Sequence, residues 1–179
     1  MLKALSLTQP WATLCAIGPD RGGKRVETRS WRTEYRGWLA IHASKGFPPW
    51  AREFFMQEYF RQALVAAGYS GPHQLPTGAI VGVARLAQIL PTERILRQQQ
   101  LSIREQAYGD YAPGRFGWFL ENNLVLPDPI PCKGALSLWE VPAPIVRQIE
   151  QQFVSIGVVI NFADSTESPR LFLPVQPIF

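Results

Sequence analysis

The pattern of apolar and polar positions divides the chain into short strands and a few helices. Residues 3–7 read as a strand, after which Thr8 stands where a helix is capped and Pro10 falls in its first turn, where a missing amide hydrogen costs nothing. Trp11, Leu14 and Cys15 share one helical face, and Gly18-Pro19 ends the run near Ile17. Beyond the PDRGG turn, residues 24–30 and 36–44 predict two strands, the second alternating Leu39, Ile41 and Ala43 with Ala40, His42 and Ser44, so that one side faces a core. Over 48–68, Trp50, Phe54, Phe55, Tyr59, Ala63 and Leu64 recur at three- and four-residue steps, which predicts the longest helix. Residues 79–89 (AIVGVARLAQI) suit a buried strand, and 92–106 read as a solvated helix or an inserted excursion with few apolar anchors. Strands over 115–121 and 135–141, an amphipathic helix over 142–155 and a proline-rich strap from 161 to 179 complete the series.

About six strands, with helices after the first and third and no regular βαβ alternation, predict an α+β fold: a small mixed barrel with flanking helices. Closure of such a barrel disposes of edge strands. Sixteen prolines and 14 glycines fit this class better than a helical bundle. The 179 residues are expected to form one domain, with a core over about 2–142 and the last helix and tail over 143–179.

Composition narrows the chemistry. No apolar run is long enough to cross a membrane and no secretory leader precedes the first strand, so a cytoplasmic protein with no membrane partner is expected. Two cysteines without a CxxC partner and two histidines cannot supply a zinc or iron–sulfur set, and no metal or cofactor is implied. A net charge of +4 hints at a polyanionic partner. The segment 18–24 (GPDRGGK) has the skeleton of a phosphate loop, but Arg25 stands in place of the Ser or Thr that binds magnesium, and the flanking helix and strand come in the wrong order.

The segment GKRVETRSW at 23–31 packs charges into what otherwise reads as a strand. Strand periodicity puts Arg25, Glu27 and Arg29 on one face and Val26 and Thr28 on the other, and Lys24 joins Glu27 only if it still belongs to the diglycine turn. Against this stands a plain solvated strand edge. Aromatic residues sit beside basic or polar ones at Gln9-Pro10-Trp11, Ser30-Trp31-Arg32 and Gly114-Arg115-Phe116-Gly117-Trp118, the pairing that single-stranded nucleic acid uses for stacking and phosphate contact. Trp11 and Trp31 flank the charged segment, whereas Trp50 and Trp139 read as structural. His42 reads as the partner of a nearby backbone group rather than as a base, and no Ser/His/Asp set can be assigned from spacing.

In GKRVETR, Lys24, Glu27 and Arg29 fit the GxKxxExR signature of the ASC homology (ASCH) family. LSLTQPWA, ETRSWRTEYRGWLAIHASKG, GAIVGVARL, YAPGRFGWFLEN and PCKGALSLWEV also resemble bacterial members, along about residues 2–142. The resemblance implies a PUA-like β-barrel beside a cleft that takes RNA or a modified nucleotide, DNA being the other nucleic acid left open. Lys24, Glu27 and Arg29 are then the signature positions, with Gln9, Trp11, Ser30 and Trp31 near the same cleft by adjacency. The lysine offers a point charge, the arginine a fork for phosphate or a base edge, and the glutamate an acceptor for an amino group. Some relatives are amidohydrolases on acetylcytidine, whose lysine activates a threonine where this chain has Glu27, and Thr28 is expected on the wrong face to replace it. Others resemble ribonucleases, so the alternative to binding is an enzyme with Lys24 and Glu27 as an acid/base pair.

Overall fold

In chain order the elements are β1 (Lys3–Leu7), α1 (Trp11–Ile17), β2 (Val26–Arg29), β3 (Gly37–Ala43), α2 (Pro49–Glu53), α3 (Glu58–Ala66), β4 (Ala79–Pro91), α4 (Thr92–Gln98), α5 (Ile103–Tyr108), β5 (Phe116–Pro131), β6 (Leu138–Glu140), α6 (Ala143–Ser155), β7 (Val158–Val159) and β8 (Arg170–Leu171). They are taken from a computed structural model that describes residues 1–98, 101–164 and 168–171.

Six strands form one mixed sheet in the order β2-β5-β4-β3-β1-β6. Only β1 and β3 run parallel, with Ser6 opposite His42 in their register; the other pairs are antiparallel. The long strands β4 and β5 bend the sheet, and the register between them shifts at three places. The result is an α+β half-barrel with flanking helices. It stays open at β2 and β6, which are the ends of the strand order.

Each face of the sheet carries its own core. On one, Ala12, Cys15 and Ala16 of α1 pack on Leu39, Ile41, Ala84, Leu86 and Trp118. On the other, Ile149 and Phe153 of α6 pack on Ala4, Ala40, Ile80, Val83 and Ile130. All seven residues of β3 are therefore buried, where alternation predicted one buried side.

Several expected elements take a different form. The helix expected over 48–68 is interrupted: a 3-10 turn over Phe54–Met56 and an extended Gln57 separate α2 from α3. The break lets Phe54 and Phe60 both reach the Trp11 ring, at centroid distances of 4.9 and 5.9 Å. The segment 92–106 is not a solvated excursion, since α4 buries Ile95 against Val26, Leu90 and Phe119, and α5 buries Glu105 and Tyr108. The strand expected over 115–121 continues to Pro131, because its proline-rich half pairs with β4 alone, β2 lying opposite only Phe116 to Phe119. At the start of α1 the side chain of Thr8 makes no cap; its carbonyl accepts from the Ala12 amide instead. Of the tail expected as a strap, β8 pairs with β7, while 165–167 and 172–179 lie outside the described residues.

Candidate functional site

The site is built where three chain segments meet at the edge of the half-barrel. Gly23 has no room for a Cβ, which would collide with the Leu14 carbonyl and stand 2.8 Å from the Gly18 amide nitrogen. This close approach lets the Lys24 amide donate to the carbonyl of Leu14 at 2.9 Å and fixes Lys24 against the end of α1 before β2 begins. Lys24 is only 1% exposed. Its Nζ donates to Glu27 Oε2 and to the carbonyl of Tyr108, each at 2.8 Å. Two of the three ammonium hydrogens are thereby used, and one is left for a ligand.

Glu27 is the second buried charge. Its Oε1 lies 3.7 Å from Arg29 Nη1, and the Cys15 thiol stands 4.0 Å from Oε2. Burial, and next the charge of Glu27, push the Cys15 thiol well above its ordinary value, so it is a neutral donor beneath the carboxylate. Above this floor opens a cleft of about 490 Å³, within the roughly 300–1,000 Å³ typical of small-ligand sites. Trp11, Trp50 and Phe54 give it an aromatic lining, and Gly109, Asp110 and Arg115 also border it. The Trp11 ring is held by its indole N–H, which donates to the carbonyl of Tyr108 at 2.8 Å. Trp50 lies 6.0 Å from it between ring centroids and is 56% exposed.

An ASCH domain model matches residues 5–127, more than half of the chain. The chain belongs to the ASCH domain family. It is 30% identical over 143 residues to human activating signal cointegrator 1, a match that covers 79% of this chain and 22% of the relative. The mouse protein of the same name is 29% identical over 141 residues, with the same coverage. The chain thus spans about a fifth of the length of these curated relatives. Among solved structures, the ASCH protein of Zymomonas mobilis aligns with a TM-score of 0.47 at 19% identity, covering 87% of this chain and 94% of that one. Its Y47F mutant aligns with a TM-score of 0.49 at 16% identity, covering 83% and 95%.

Within this ASCH domain the residues singled out in the sequence are distributed unevenly. Lys24, Glu27, Arg29 and Trp11 all line the cleft. Gln9, Ser30 and Trp31 do not. Gln9 is fully buried, its amide clamped between Thr13 and the carbonyl of Pro76, where it ties the start of α1 to the loop before β4. Ser30 is an exposed residue just beyond β2. Trp31 turns edge-on against Trp118 at 4.6 Å and backs Arg29, whose guanidinium lies 5.7 Å from its ring. Trp50, expected to be structural, is instead an open aromatic face at the cleft mouth, because the interruption after α2 leaves that helix on the rim. Thr28 borders the same cleft, with its hydroxyl already accepting from the Asp110 amide at 3.0 Å.

Two contributors, Glu105 and Tyr108, gave no local signal in the sequence, while Arg115 stands in one of its aromatic and basic clusters. Glu105, 8% exposed, accepts from the amides of Arg25 and Val26 at 3.0 and 2.9 Å and so closes the free edge of β2. Burial raises its carboxyl above the usual value against the pull of those two amides. Tyr108 supplies the carbonyl shared by Lys24 and Trp11, and its own hydroxyl lies 2.9 Å from the carbonyls of Gly22 and Tyr59. Burial above all pushes that phenol up to about 12. Arg115 is held by the carbonyls of Asp110 and Thr28, at 3.2 Å each, and by the Asp110 carboxylate at 3.3 Å. Among the described residues no group of three or more His, Cys, Asp or Glu side chains is placed to hold a metal ion, and no helix is long and apolar enough to cross a membrane.

Proposed function

We propose that the cleft binds single-stranded RNA or a modified nucleotide. The observation that carries this reading is the Lys24–Glu27 pair, buried at the floor of an open cleft whose wall is aromatic and whose flanks hold Arg29 and Arg115. Burying two charges is costly, and a pair whose remaining donor and acceptor capacity faces a cavity suits recognition of a polar ligand. In this reading Trp11 and Trp50 take the face of a base, Glu27 Oε1 accepts from its amino or imino edge, Lys24 donates to a carbonyl or phosphate oxygen, and the arginines hold phosphate. Gln9 and Trp31 support the cleft from behind.

A second reading uses the same pair as an acid and a base on the bound nucleotide, since Lys24 Nζ and Glu27 Oε2 stand 2.8 Å apart in direct proton-transfer contact. Thr28 is not assigned as the nucleophile in this reading, because its hydroxyl partner is the Asp110 amide, a donor that cannot take its proton. Hydrolysis of an acylated nucleoside or of RNA that is lost in Glu27→Gln, while binding survives, selects this reading.

Fluorescence anisotropy with a labelled single-stranded RNA at low and moderate salt tests the proposal, with unlabelled DNA of the same sequence as competitor. Binding is expected to weaken with salt at a slope near −0.7 per phosphate contact, and to fall at least about tenfold in Lys24→Ala, the cost of one charge-assisted hydrogen bond. Absence of binding by the parent at low salt overturns it.

A further inference from the structure

A second polar cluster lies at another opening, and its lining shares no residue with the cleft. Ser6 of β1 and His42 of β3 are opposite one another in the parallel pair, so their side chains emerge side by side on one face. Leu7, which lines the nucleotide cleft, points to the other face. His42 is 2% exposed, its Nε2 lies 3.0 Å from the carbonyl of Cys132, and its Nδ1 lies 3.1 Å from Ser6 Oγ.

These partners determine where the hydrogens are. A carbonyl only accepts, so Nε2 carries the ring hydrogen and Nδ1 offers its lone pair. Burial lowers the imidazole below its ordinary value, which keeps the ring neutral at physiological pH. The Ser6 hydroxyl must therefore donate to Nδ1, and it accepts in turn from the indole N–H of Trp139 at 3.0 Å. One lone pair of Oγ stays uncommitted, and Ser6 opens onto a cavity of about 620 Å³ rimmed by Lys45 and Lys133. Only glycine fits at position 134: a Cβ there would collide with the His42 ring and stand 2.8 Å from Ser6 Oγ, closing the approach to the hydroxyl.

We infer that Ser6 and His42 form a nucleophile and base pair that accepts an acyl group from a small anionic ester. A serine whose hydrogen is already on an imidazole, with the imidazole oriented by a third group, has the arrangement of covalent catalysis. Ser6 Oγ attacks the ester carbonyl carbon as its proton passes to His42 Nδ1. The leaving alcohol departs with that proton, and water, deprotonated by His42, then releases the acid and regenerates the hydroxyl. Lys45 and Lys133 attract the negative end of the ester. A carbonyl in place of a carboxylate behind the histidine stabilises the imidazolium less, so slow turnover is expected.

The test is covalent labelling of the folded chain with a fluorophosphonate, in which an Oγ–P bond forms, the P–F bond breaks and the serine proton passes to His42. Peptide mass spectrometry is expected to place the adduct on Ser6, with none in urea-unfolded protein and labelling slowed on the order of 100-fold in His42→Gln, the size of a general-base contribution. In parallel, the mono-4-nitrophenyl ester of succinate is expected to acylate the protein faster than 4-nitrophenyl acetate, a preference lost in Lys45→Ala/Lys133→Ala. An adduct anywhere other than Ser6, no adduct on folded wild type, or equal labelling of His42→Gln overturns the inference. Equal rates with the two esters overturn its anionic specificity. None of these readouts depends on RNA binding.

Discussion

The Lys24 ammonium donates to the backbone carbonyl of Tyr108, 84 residues further along the chain, at 2.8 Å. That bond joins the start of β2 to the end of α5 and sets one side of the cleft. Its donor is also half of a buried ion pair, and breaking such a pair leaves the partner charge uncompensated. Lys24→Met is therefore expected to lower stability by about 3–5 kcal/mol, and Glu27→Gln added to it is expected to recover part of the loss, because no naked carboxylate is then buried. Urea denaturation of the two single variants and the double provides the cycle. Simple additivity of the losses contradicts the coupling.

Gly23 makes the Lys24 turn possible. In Gly23→Ala the new methyl group meets the Leu14 carbonyl and the Gly18 backbone, neither of which is the free end of a side chain. A loss of about 1–3 kcal/mol is expected from overpacking, together with weaker RNA binding as Lys24 shifts. A melting temperature equal to wild type would show that the turn relaxes without cost.

Trp50 separates binding from stability. It is 56% exposed, so Trp50→Ala is expected to change stability by less than about 0.5 kcal/mol. In the proposed site the same substitution is expected to remove a stacking face worth about 1–3 kcal/mol per base, or roughly 5- to 150-fold in affinity. Parallel melting and anisotropy measurements check both halves, and unchanged affinity excludes Trp50 from the site.

Glu105 gives the fold a pH dependence of definite sign. Its folded-state carboxyl is raised above 4.5 by burial, with Lys24 and Arg25 and the two amides opposing. The folded state therefore holds the proton more tightly than the unfolded one, and this group's contribution to stability is full below about pH 4.5 and declines as pH rises through the higher folded-state value. The stability difference between wild type and Glu105→Gln is expected to move in favour of the glutamine variant between pH 4.5 and 7, by urea denaturation at each pH. A shift in the opposite direction would mean that the amide hydrogen bonds outweigh burial.

What could be read in the sequence was local. Periodicity locates β1, α1, β2 and β3, and the signature spacing singles out Lys24, Glu27 and Arg29, because each depends on neighbours within a turn or a strand. Glu105 and Tyr108 could not be found this way: their partners are the amides of Arg25 and Val26 and the side chains of Lys24 and Trp11, about 80 to 100 residues away. Sequence adjacency misplaced Gln9 and Trp31 for the converse reason, since residues next to cleft residues point into the protein when strand or cap geometry turns them. The apolar spacing around Trp50 is helical and suggests a core position, yet the helix ends at Glu53 and the aromatic side chain lies on the rim. The full length of β5 was hidden by Glu121, Asn122 and Asn123, polar residues within the strand, and by the prolines that follow.

Photochemical cross-linking of a 5-bromouridine-substituted single-stranded RNA, with the attached peptides sequenced, tests most directly whether a nucleic acid sits in this cleft. Adducts are expected on Trp11 and Trp50, to diminish in Lys24→Ala, and to be competed away by unmodified RNA. Cross-links that map instead to Trp139 and the loop over His42, or that persist unchanged in Lys24→Ala, would contradict the assignment of the cleft.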